Sequence, residues 1–209
     1  MLRSEVSITK IIGITGPTGA GKTTALNEVE KLGGAVIDCD AVYHELLESD
    51  IPLQSKLEEL FGPLREEDGT IDRKKLGAIV FGDPEKLELL NTVAQRATVA
   101  KTRELVDGCE REGRPLAAID AIALLESGLK EFCHATVAVI APPEVRVRRI
   151  MAREGISEDY AWARVRAQKP DDYFIKGCDY TLWNDCAGPE EFGARVRALL
   201  EKLFADKEV

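Results

Sequence analysis

Residues 11–24 read IIGITGPTGAGKTT. An apolar run is followed by a glycine-rich turn that ends in Gly21-Lys22-Thr23, and the spacing G-x-x-x-x-G-K-S/T is that of a phosphate-binding loop. Glycines allow positive φ angles and a close approach of the backbone to a ligand. A strand pattern precedes the turn and a helical pattern follows it, which favours this interpretation over an ordinary glycine-rich connection between a strand and a helix.

The residue types of this loop suit a nucleoside triphosphate. The turn directs successive backbone N–H groups toward phosphate oxygens, and the helix that starts near Lys22 adds its positive end. Lys22 supplies a positive charge for the β- and γ-phosphates, and the Thr23 hydroxyl can bind Mg²⁺. We therefore predict ATP and Mg²⁺ as cofactors, with nucleotide contacts from Gly16, Thr18, Gly19, Ala20, Gly21, Lys22, Thr23 and Thr24.

The composition is that of a globular chain with an acidic balance. The 209 residues are 44% hydrophobic and carry a formal net charge of −9 at pH 7. This charge argues against non-specific binding to nucleic acid or to a membrane surface. No apolar run reaches the length of a signal peptide or a membrane span, and we expect a single cytoplasmic domain, as a monomer or a weak homo-oligomer. The five cysteines lack a metal-binding spacing, which fits a reducing compartment; they are Cys39, Cys109, Cys133, Cys178 and Cys186.

Two carboxylates follow the second predicted strand. Residues 35–37 form a short apolar run that ends in Asp38-Cys39-Asp40. Open α/β sheets bind their ligands at the carboxyl ends of strands, so this pair could supply a general base or contacts to Mg²⁺. Alternatively, one of the two only caps the helix predicted over residues 41–47. We expect one aspartate to take part in the chemistry and the other to be a helix cap or a supporting group.

The next part of the chain is predicted to be helical throughout. Residues 50–111 show no strand pattern, and a helix restarts at Asp83-Pro84, with a further helix over residues 97–109. An insert of this length is too long for a bare crossover between two strands. We therefore predict a core of residues 8–40, 112–150 and 176–206, with a substrate-covering helical insert over residues 41–111.

Strands return after the insert, and an arginine-rich segment follows them. A buried strand over residues 116–120 ends in Asp120, a position suited to Mg²⁺ although any helix cap could also explain it. After the strand at residues 135–141, one helix carries Arg146, Arg148, Arg149 and Arg153, and the next, which Ser157 could cap, carries Arg164 and Arg166. As a cluster these arginines favour a mobile lid over residues 151–175 that stabilises a transferring phosphoryl group. Individually, each is also compatible with a solvated face paired to acidic neighbours.

The last elements complete an α/β fold. A short strand over residues 180–183 leads into Asn184, and Pro189 opens an amphipathic helix. Phe192, Val196, Leu199, Leu200 and Leu203 form its apolar stripe. These patterns predict a single three-layer α/β domain of the phosphate-loop type, with a mainly parallel sheet of five strands.

These segments together resemble the dephospho-coenzyme A kinase family over nearly the whole chain. Besides the loop, the segments VIDCDAVYHELL, FGPLREEDGTIDRKKLGAIVFGDPEKLELLN, LLESGL and RRIMAREGISEDYAWARVRAQ are similar to segments of that family, in the same order and spacing. The resemblance implies the strand order 2-3-1-4-5. It also implies transfer of the γ-phosphoryl group of ATP to the ribose 3′-hydroxyl of dephospho-coenzyme A.

Residue roles follow from the same resemblance. Asp40 would be the general base, and Lys22 and Arg149 would stabilise the transferring group with support from Arg153. Thr23 would bind Mg²⁺, with Asp38 reaching it through water. Asp38 and His44 would lie on the substrate side, and Asn184 would lie beside the adenine.

The chain departs from the family pattern mostly on the acceptor side or in the predicted lid. Gln95-Arg96 stands where the family has His-Pro, Ile122 stands where it has proline, and Cys186 stands where it has glycine. The residues after Gln168 are partly acidic where the family is basic. Two alternatives therefore stay open: a kinase of the same fold that acts on another nucleotide or small alcohol, and an ATP-binding protein without catalysis.

Overall fold

The structure is a computed structural model that describes residues 9–205. Residues 8 and 206, the outer bounds predicted for the core, lie outside the described residues. The described part of the chain divides into two compact units, one of residues up to Ile37 and from Val106 onward, the other of residues Asp38–Leu105. Within residues 9–205, no helix has the length and apolarity needed to cross a membrane.

The first unit is built on a five-stranded sheet. Its strands are β1 (Lys10–Thr15), β2 (Ala35–Asp38), β3 (Leu116–Asp120), β4 (Ala135–Ile140) and β5 (Tyr180–Trp183). Their order in the sheet is β2-β3-β1-β4-β5, which confirms the predicted order 2-3-1-4-5. β1 pairs in parallel with both β3 and β4, and β4 pairs in parallel with β5. The carboxyl ends of these strands therefore meet at one edge, where the loop after β1 also begins.

Helices cover both faces of the sheet. On one face, α1 (Lys22–Lys31) and α9 (Pro189–Ala205) bury apolar side chains against alternate residues of the central strands, such as Val137 and Val139. On the other face, Ala138 and Ile140 pack against Phe174 of α8 (Asp171–Gly177). Successive side chains of β4 therefore pack against helices on opposite faces of the sheet, as expected for a strand that is buried on both sides.

A helical hairpin follows β4. It consists of α6 (Pro143–Glu154) and α7 (Glu158–Arg166), which share a small apolar core of Val147, Ile150, Ala161 and Val165. Gly155 ends α6 with a φ of 66°, and Ser157 caps α7 by accepting a hydrogen bond from the Tyr160 N–H. The predicted cap at Ser157 is therefore confirmed. A short 3₁₀ helix (Leu129–Phe132) lies between β3 and β4.

The second unit is a helical assembly. It contains α2 (Cys39–Ser49), α3 (Ile51–Phe61), α4 (Arg73–Val80) and most of α5 (Pro84–Arg111). The first three helices begin at aspartate caps, Asp38, Asp50 and Asp72. Asp83 accepts hydrogen bonds from the N–H groups of Glu85 and Lys86 at the start of α5.

The prediction of two helices after Asp83 was wrong. A single helix of 28 residues runs from Pro84 to Arg111. The sequence VAQRA at residues 93–97 contains no glycine or proline, so nothing in the backbone interrupts the helix there. The helix predicted over residues 41–47 also starts earlier, at Cys39, because Asp38 rather than Asp40 is its cap.

Candidate nucleotide site

The loop after β1 has the backbone geometry that its glycines predict. Gly16 has a φ of 141° and Gly21 a φ of 108°, both in the region that favours glycine. A Cβ atom on Gly16 would lie 2.1 Å from the Val139 carbonyl oxygen, and one on Gly21 would lie 2.2 Å from the Asn184 Nδ2 atom. Any larger residue at either position would therefore require both strained dihedral angles and displacement of a neighbour. We call residues 16–23 the phosphate loop.

Two side chains, those of Arg149 and Asn184, donate hydrogen bonds to carbonyl oxygens of the phosphate loop. The Arg149 Nη1 atom donates hydrogen bonds to the carbonyl oxygens of Gly19, at 3.2 Å, and Ala20, at 3.1 Å. Asn184, which is buried, donates to the same Ala20 oxygen at 2.8 Å. In a planar trans peptide the following N–H points away from the carbonyl, so the Gly21 N–H points away from these two side chains. The arrangement therefore directs the Gly21 N–H to the opposite side of the loop.

The start of α1 adds to this donor-rich surface. Gly21 is its N-cap and provides no side-chain hydrogen bond, and no acidic residue lies in the first turn. The first N–H groups of a helix generally lack partners within it, although here the Thr24 N–H donates to the Gly21 carbonyl oxygen at 3.0 Å. The helix dipole places partial positive charge at this end. With no carboxylate in that turn to neutralise the charge, the end of α1 is suited to an anion. Thr23 is exposed in this turn.

Lys22 lies over the phosphate loop and beside a carboxylate. Its Nζ atom donates a hydrogen bond to the Gly16 carbonyl oxygen at 3.4 Å and lies 4.0 Å from the Asp120 Oδ1 atom. Both side chains are largely buried, at 15% and 18% exposed. The neighbourhood follows from the sheet, because Asp120 ends β3 directly beside Ile14 of β1. The sequence suggested Asp120 only weakly, and the parallel register of β1 and β3 is what brings it to Lys22.

The arginines of α6 divide into two groups. Burial lowers the pKa of both Arg146 and Arg149 below the ordinary value of a guanidinium, which nevertheless remains charged at neutral pH. Both contact the phosphate loop, Arg146 through the Thr18 carbonyl oxygen. Arg153, in contrast, is exposed and pairs with Glu154, which also pairs with Arg164. The supporting role predicted for Arg153 stays a prediction.

A cavity of about 450 Å³ lies beside the start of the phosphate loop. Its walls come from the loop, from the segment after β3 and from the junction between α7 and α8. Ile122, half exposed, contributes one wall, and Glu126 and Lys169 are its charged residues. Near Glu126, burial and a hydrogen bond to that carboxylate raise the pKa of Tyr173 to about 12. Ile122, one of the departures from the family pattern, therefore lines a cavity next to the phosphate loop.

The second unit holds the predicted acidic residues. The Asp38 side chain accepts hydrogen bonds from the N–H groups of Asp40, at 2.9 Å, and Ala41, at 3.1 Å, so it caps α2. Asp40 and His44 are both exposed and lie four residues apart, on one face of the helix. The expectation that one aspartate is a cap is confirmed for Asp38. The chemical roles predicted for Asp40, Asp38 and His44 stay predictions.

A groove of about 650 Å³ also belongs to the second unit. Residues of α2, α3 and α5 line it, among them Lys56, Arg96 and Lys101 together with Glu45 and Glu104. Arg96, one of the departures from the family pattern, therefore contributes a positive charge to a concave surface.

Comparisons with known proteins agree with this geometry. The model of the dephospho-CoA kinase family matches residues 10–190. A dephospho-CoA kinase of Carboxydothermus hydrogenoformans is 35% identical over 193 residues, which cover 92% of this chain and 93% of that protein. A crystal structure of a Thermus thermophilus protein superposes with a TM-score of 0.73 at 33% identity and covers 94% of this chain and 98% of its own. A dephospho-CoA kinase from Campylobacter jejuni, at 22% identity and a TM-score of 0.62, covers 93% of this chain and 97% of its own and supports the fold alone.

The family model spans the phosphate loop, α2, the helical unit and Asn184, so the match extends well beyond the nucleotide loop. On this basis the chain belongs to the dephospho-CoA kinase family.

Proposed function

We propose that this protein transfers the γ-phosphoryl group of ATP to the ribose 3′-hydroxyl of dephospho-CoA and so forms CoA and ADP. The observation that carries the proposal is the phosphate loop, in which Arg149 and Asn184 hold the carbonyl groups from behind and leave backbone donors for an anion. Membership of the dephospho-CoA kinase family supports the acceptor. Loop and family together favour a kinase over a protein that only binds a nucleotide.

The phosphate loop fits a triphosphate because its donors are fixed before the ligand arrives. Lys22 brings one positive charge to the loop, and the N-terminal end of α1 brings partial positive charge from the helix dipole. Arg149 places a second full charge directly behind the loop. We propose that Lys22 and Arg149 stabilise the charge of the transferring group, because fixed donors and charges in a site need not reorganise during the reaction.

Oxygen donors near the loop fit a magnesium ion. Mg²⁺ prefers oxygen ligands and is commonly held by one or two protein groups together with substrate phosphates. The exposed Thr23 hydroxyl and the Asp120 carboxylate beside Lys22 are such donors. We propose that they hold the ion, with Asp38 as a further ligand through water. When bound, the ion would neutralise phosphate charge, as in other phosphoryl transfers.

We propose Asp40 as the general base. Asp38 is engaged as the cap of α2, whereas the carboxylate of Asp40 is exposed in the first turn. In the reaction the acceptor oxygen forms a bond to the γ-phosphorus and the bond from that phosphorus to the bridging oxygen of ADP breaks. The proton of the hydroxyl moves to Asp40. His44, one turn along the same helix face, is proposed to contact the acceptor.

An acceptor panel tests the function. Initial rates are measured with ATP and Mg²⁺ against dephospho-CoA, adenosine, a nucleoside monophosphate and shikimate, each with product identification. The proposal expects dephospho-CoA to have the highest kcat/KM by at least about a hundredfold, since an enzyme discriminates through contacts made in the transition state. Turnover of another acceptor with none for dephospho-CoA would contradict it.

The runner-up is a kinase of the same fold with a different alcohol acceptor. Two observations favour testing this second candidate function: Ile122 lines the cavity beside the loop, and Arg96 lines the groove of the helical unit. Both positions depart from the family pattern. The same panel separates the two functions without further variants.

A further inference from the structure

Thr18 is bound through both polar atoms of its backbone. Its N–H donates a hydrogen bond to the Gln168 Oε1 atom at 2.9 Å, and its carbonyl oxygen accepts one from the Arg146 Nε atom at 3.0 Å. The Arg146 Nη2 atom donates to the same Gln168 Oε1 atom at 2.8 Å. The three hydrogen bonds form a closed ring, which we call the Thr18 bracket (Thr18, Arg146 and Gln168).

The bracket is built around a buried charge. Arg146 is only 3% exposed, and its remaining nitrogen, Nη1, lies 3.3 Å from an Asp171 carboxylate oxygen. A buried guanidinium is costly unless its donors are used, and here each of its three nitrogens has an acceptor. Because the guanidinium is planar and rigid, these bonds fix three parts of the chain relative to one another: the phosphate loop, α6 and the junction between α7 and α8.

The bracket also determines which way the loop donors point. Arg146 holds the Thr18 carbonyl, and the N–H of Gly19 in the same planar peptide therefore points away from Arg146. α6 packs directly on this peptide, since a Cβ atom on Gly19 would lie 2.9 Å from the Arg146 carbonyl oxygen. With Arg149 on the next two carbonyls, three successive carbonyl groups are held by arginines of one helix.

We propose that Arg146 and Gln168 are positioning residues that act as one unit on the phosphate loop, and that Gln168 thereby couples the segment after α7 to nucleotide binding. Neither residue is proposed to react. The inference rests on the proposed function only in taking ATP as the ligand of the loop. It adds a role for two residues that the loop motif itself does not contain.

The test measures ATP binding in the presence of Mg²⁺ and without any acceptor. Dissociation constants from calorimetry and thermal midpoints are compared for the parent, Arg146→Lys, Gln168→Met and the double variant. Arg146→Lys keeps the charge but replaces the rigid, planar fork of three nitrogens by a single ammonium nitrogen on a flexible stem. Gln168→Met keeps the size but removes the acceptor oxygen. Arg114→Lys is the matched control, because Arg114 is exposed, pairs with Glu112 and precedes β3, away from the carboxyl end of that strand.

The proposal expects each single variant to weaken ATP binding by about tenfold, the scale of one hydrogen bond that involves a charged group. Because the ring is a unit, the double variant should be weakened about as much as the worse single variant, and Arg114→Lys should match the parent. If Arg146→Lys does not fold, Gln168→Met alone decides, since Gln168 lies at an only partly buried position.

Two results would overturn the inference. One is a Gln168→Met protein that binds ATP within twofold of the parent, even with a lowered thermal midpoint, because that pattern describes a merely structural contact. The other is a double variant whose loss equals the product of the single losses, because the two residues then act independently. A parent that binds ATP but does not turn over dephospho-CoA would contradict the proposed function and leave this inference standing; a parent that does not bind ATP would contradict both.

Discussion

Arg149 donates a hydrogen bond of 3.0 Å to the side-chain oxygen of Asn184, and both residues donate to the carbonyl oxygen of Ala20. Arg149 belongs to α6, and Asn184 directly follows β5, where its N–H is held by the Ile140 carbonyl. Two elements that are distant in the sequence therefore fix one peptide of the phosphate loop. Asn184, which the family resemblance places beside the adenine, thus also supports the backbone of the phosphate loop.

Replacing Asn184 by leucine tests this support. The change keeps the branched shape of the side chain but removes the donor to Ala20 and the acceptor for Arg149, so the Ala20 carbonyl loses one of its two side-chain donors. We expect ATP binding to weaken by about tenfold, the scale of one hydrogen bond to a charged group, when measured by calorimetry. The control is Asn27→Leu on the exposed side of α1. Equal ATP affinity for Asn184→Leu and the control would show that the hold is dispensable.

Lys22→Met tests the charge over the loop. The variant removes the nitrogen that lies near both Gly16 and Asp120. We expect kcat to fall by about a hundredfold to a thousandfold, as for loss of one group that stabilises transition-state charge. Steady-state kinetics check this, with Lys202→Met on the exposed side of α9 as the control. A kcat within threefold of the parent would remove Lys22 from the proposed chemistry.

Asp40→Asn tests the proposed base. The amide cannot accept the proton of the hydroxyl, so we expect turnover to fall on the order of a hundredfold or more, while ATP affinity is largely kept. Asp72→Asn makes the same change at the cap of α4 in the same unit and serves as the control. Unchanged turnover in Asp40→Asn would move the role to Asp38 or to another group.

The acid stability of the first unit should depend on Glu28. This buried carboxylate accepts hydrogen bonds from Lys31, at 2.6 Å, and Arg197, at 3.1 Å, and the Lys31 hydrogen bond is the main reason that its pKa lies below the ordinary value of 4.5. A lowered folded-state pKa means that the unfolded chain binds more protons as the pH falls. The stabilisation is therefore complete above about pH 5 and is lost as the pH falls through the folded-state pKa.

Glu28→Gln isolates that contribution. We expect its free energy of unfolding at pH 7 to be lower than that of the parent by about 1–2 kcal/mol, because two hydrogen bonds lose their charged acceptor. Denaturant unfolding at several pH values checks this, and the difference between the two proteins should shrink toward pH 3. A difference that stays constant down to pH 3 would mean that the charge of Glu28 is not the cause.

The sequence alone was sufficient to predict local features such as the phosphate loop. It was insufficient to predict contacts between residues that are distant along the chain. Glycine spacing predicts the phosphate loop, because positive φ angles and close packing admit little else at Gly16 and Gly21. The strand order came from the family resemblance, since apolar runs alone do not specify which strands are neighbours. The Thr18 bracket was not predicted, because its hydrogen bonds join residues 128 and 150 positions apart and neither Arg146 nor Gln168 belongs to the loop motif.

One correction has a local cause. The continuous α5 was divided in the prediction although residues 93–97 contain no helix breaker. The arginines of the predicted cluster differ in burial, since Arg146 is buried against Thr18 while Arg153 is exposed beside Glu154. The sequence did not distinguish them, since a run of arginines does not reveal which side chains are buried. The lid over residues 151–175 stays a prediction.

The most direct test of the proposed phosphoryl transfer follows the γ-phosphorus atom of ATP. ATP labelled at the γ-phosphorus is incubated with the protein, Mg²⁺ and dephospho-CoA, and the products are separated and identified by mass spectrometry. The proposed function predicts one labelled CoA for each ADP, with the labelled phosphoryl group on the ribose 3′-oxygen, and label transfer that is slower by about a hundredfold or more in Lys22→Met. Label that appears only as inorganic phosphate, or on an acceptor other than dephospho-CoA, would contradict it.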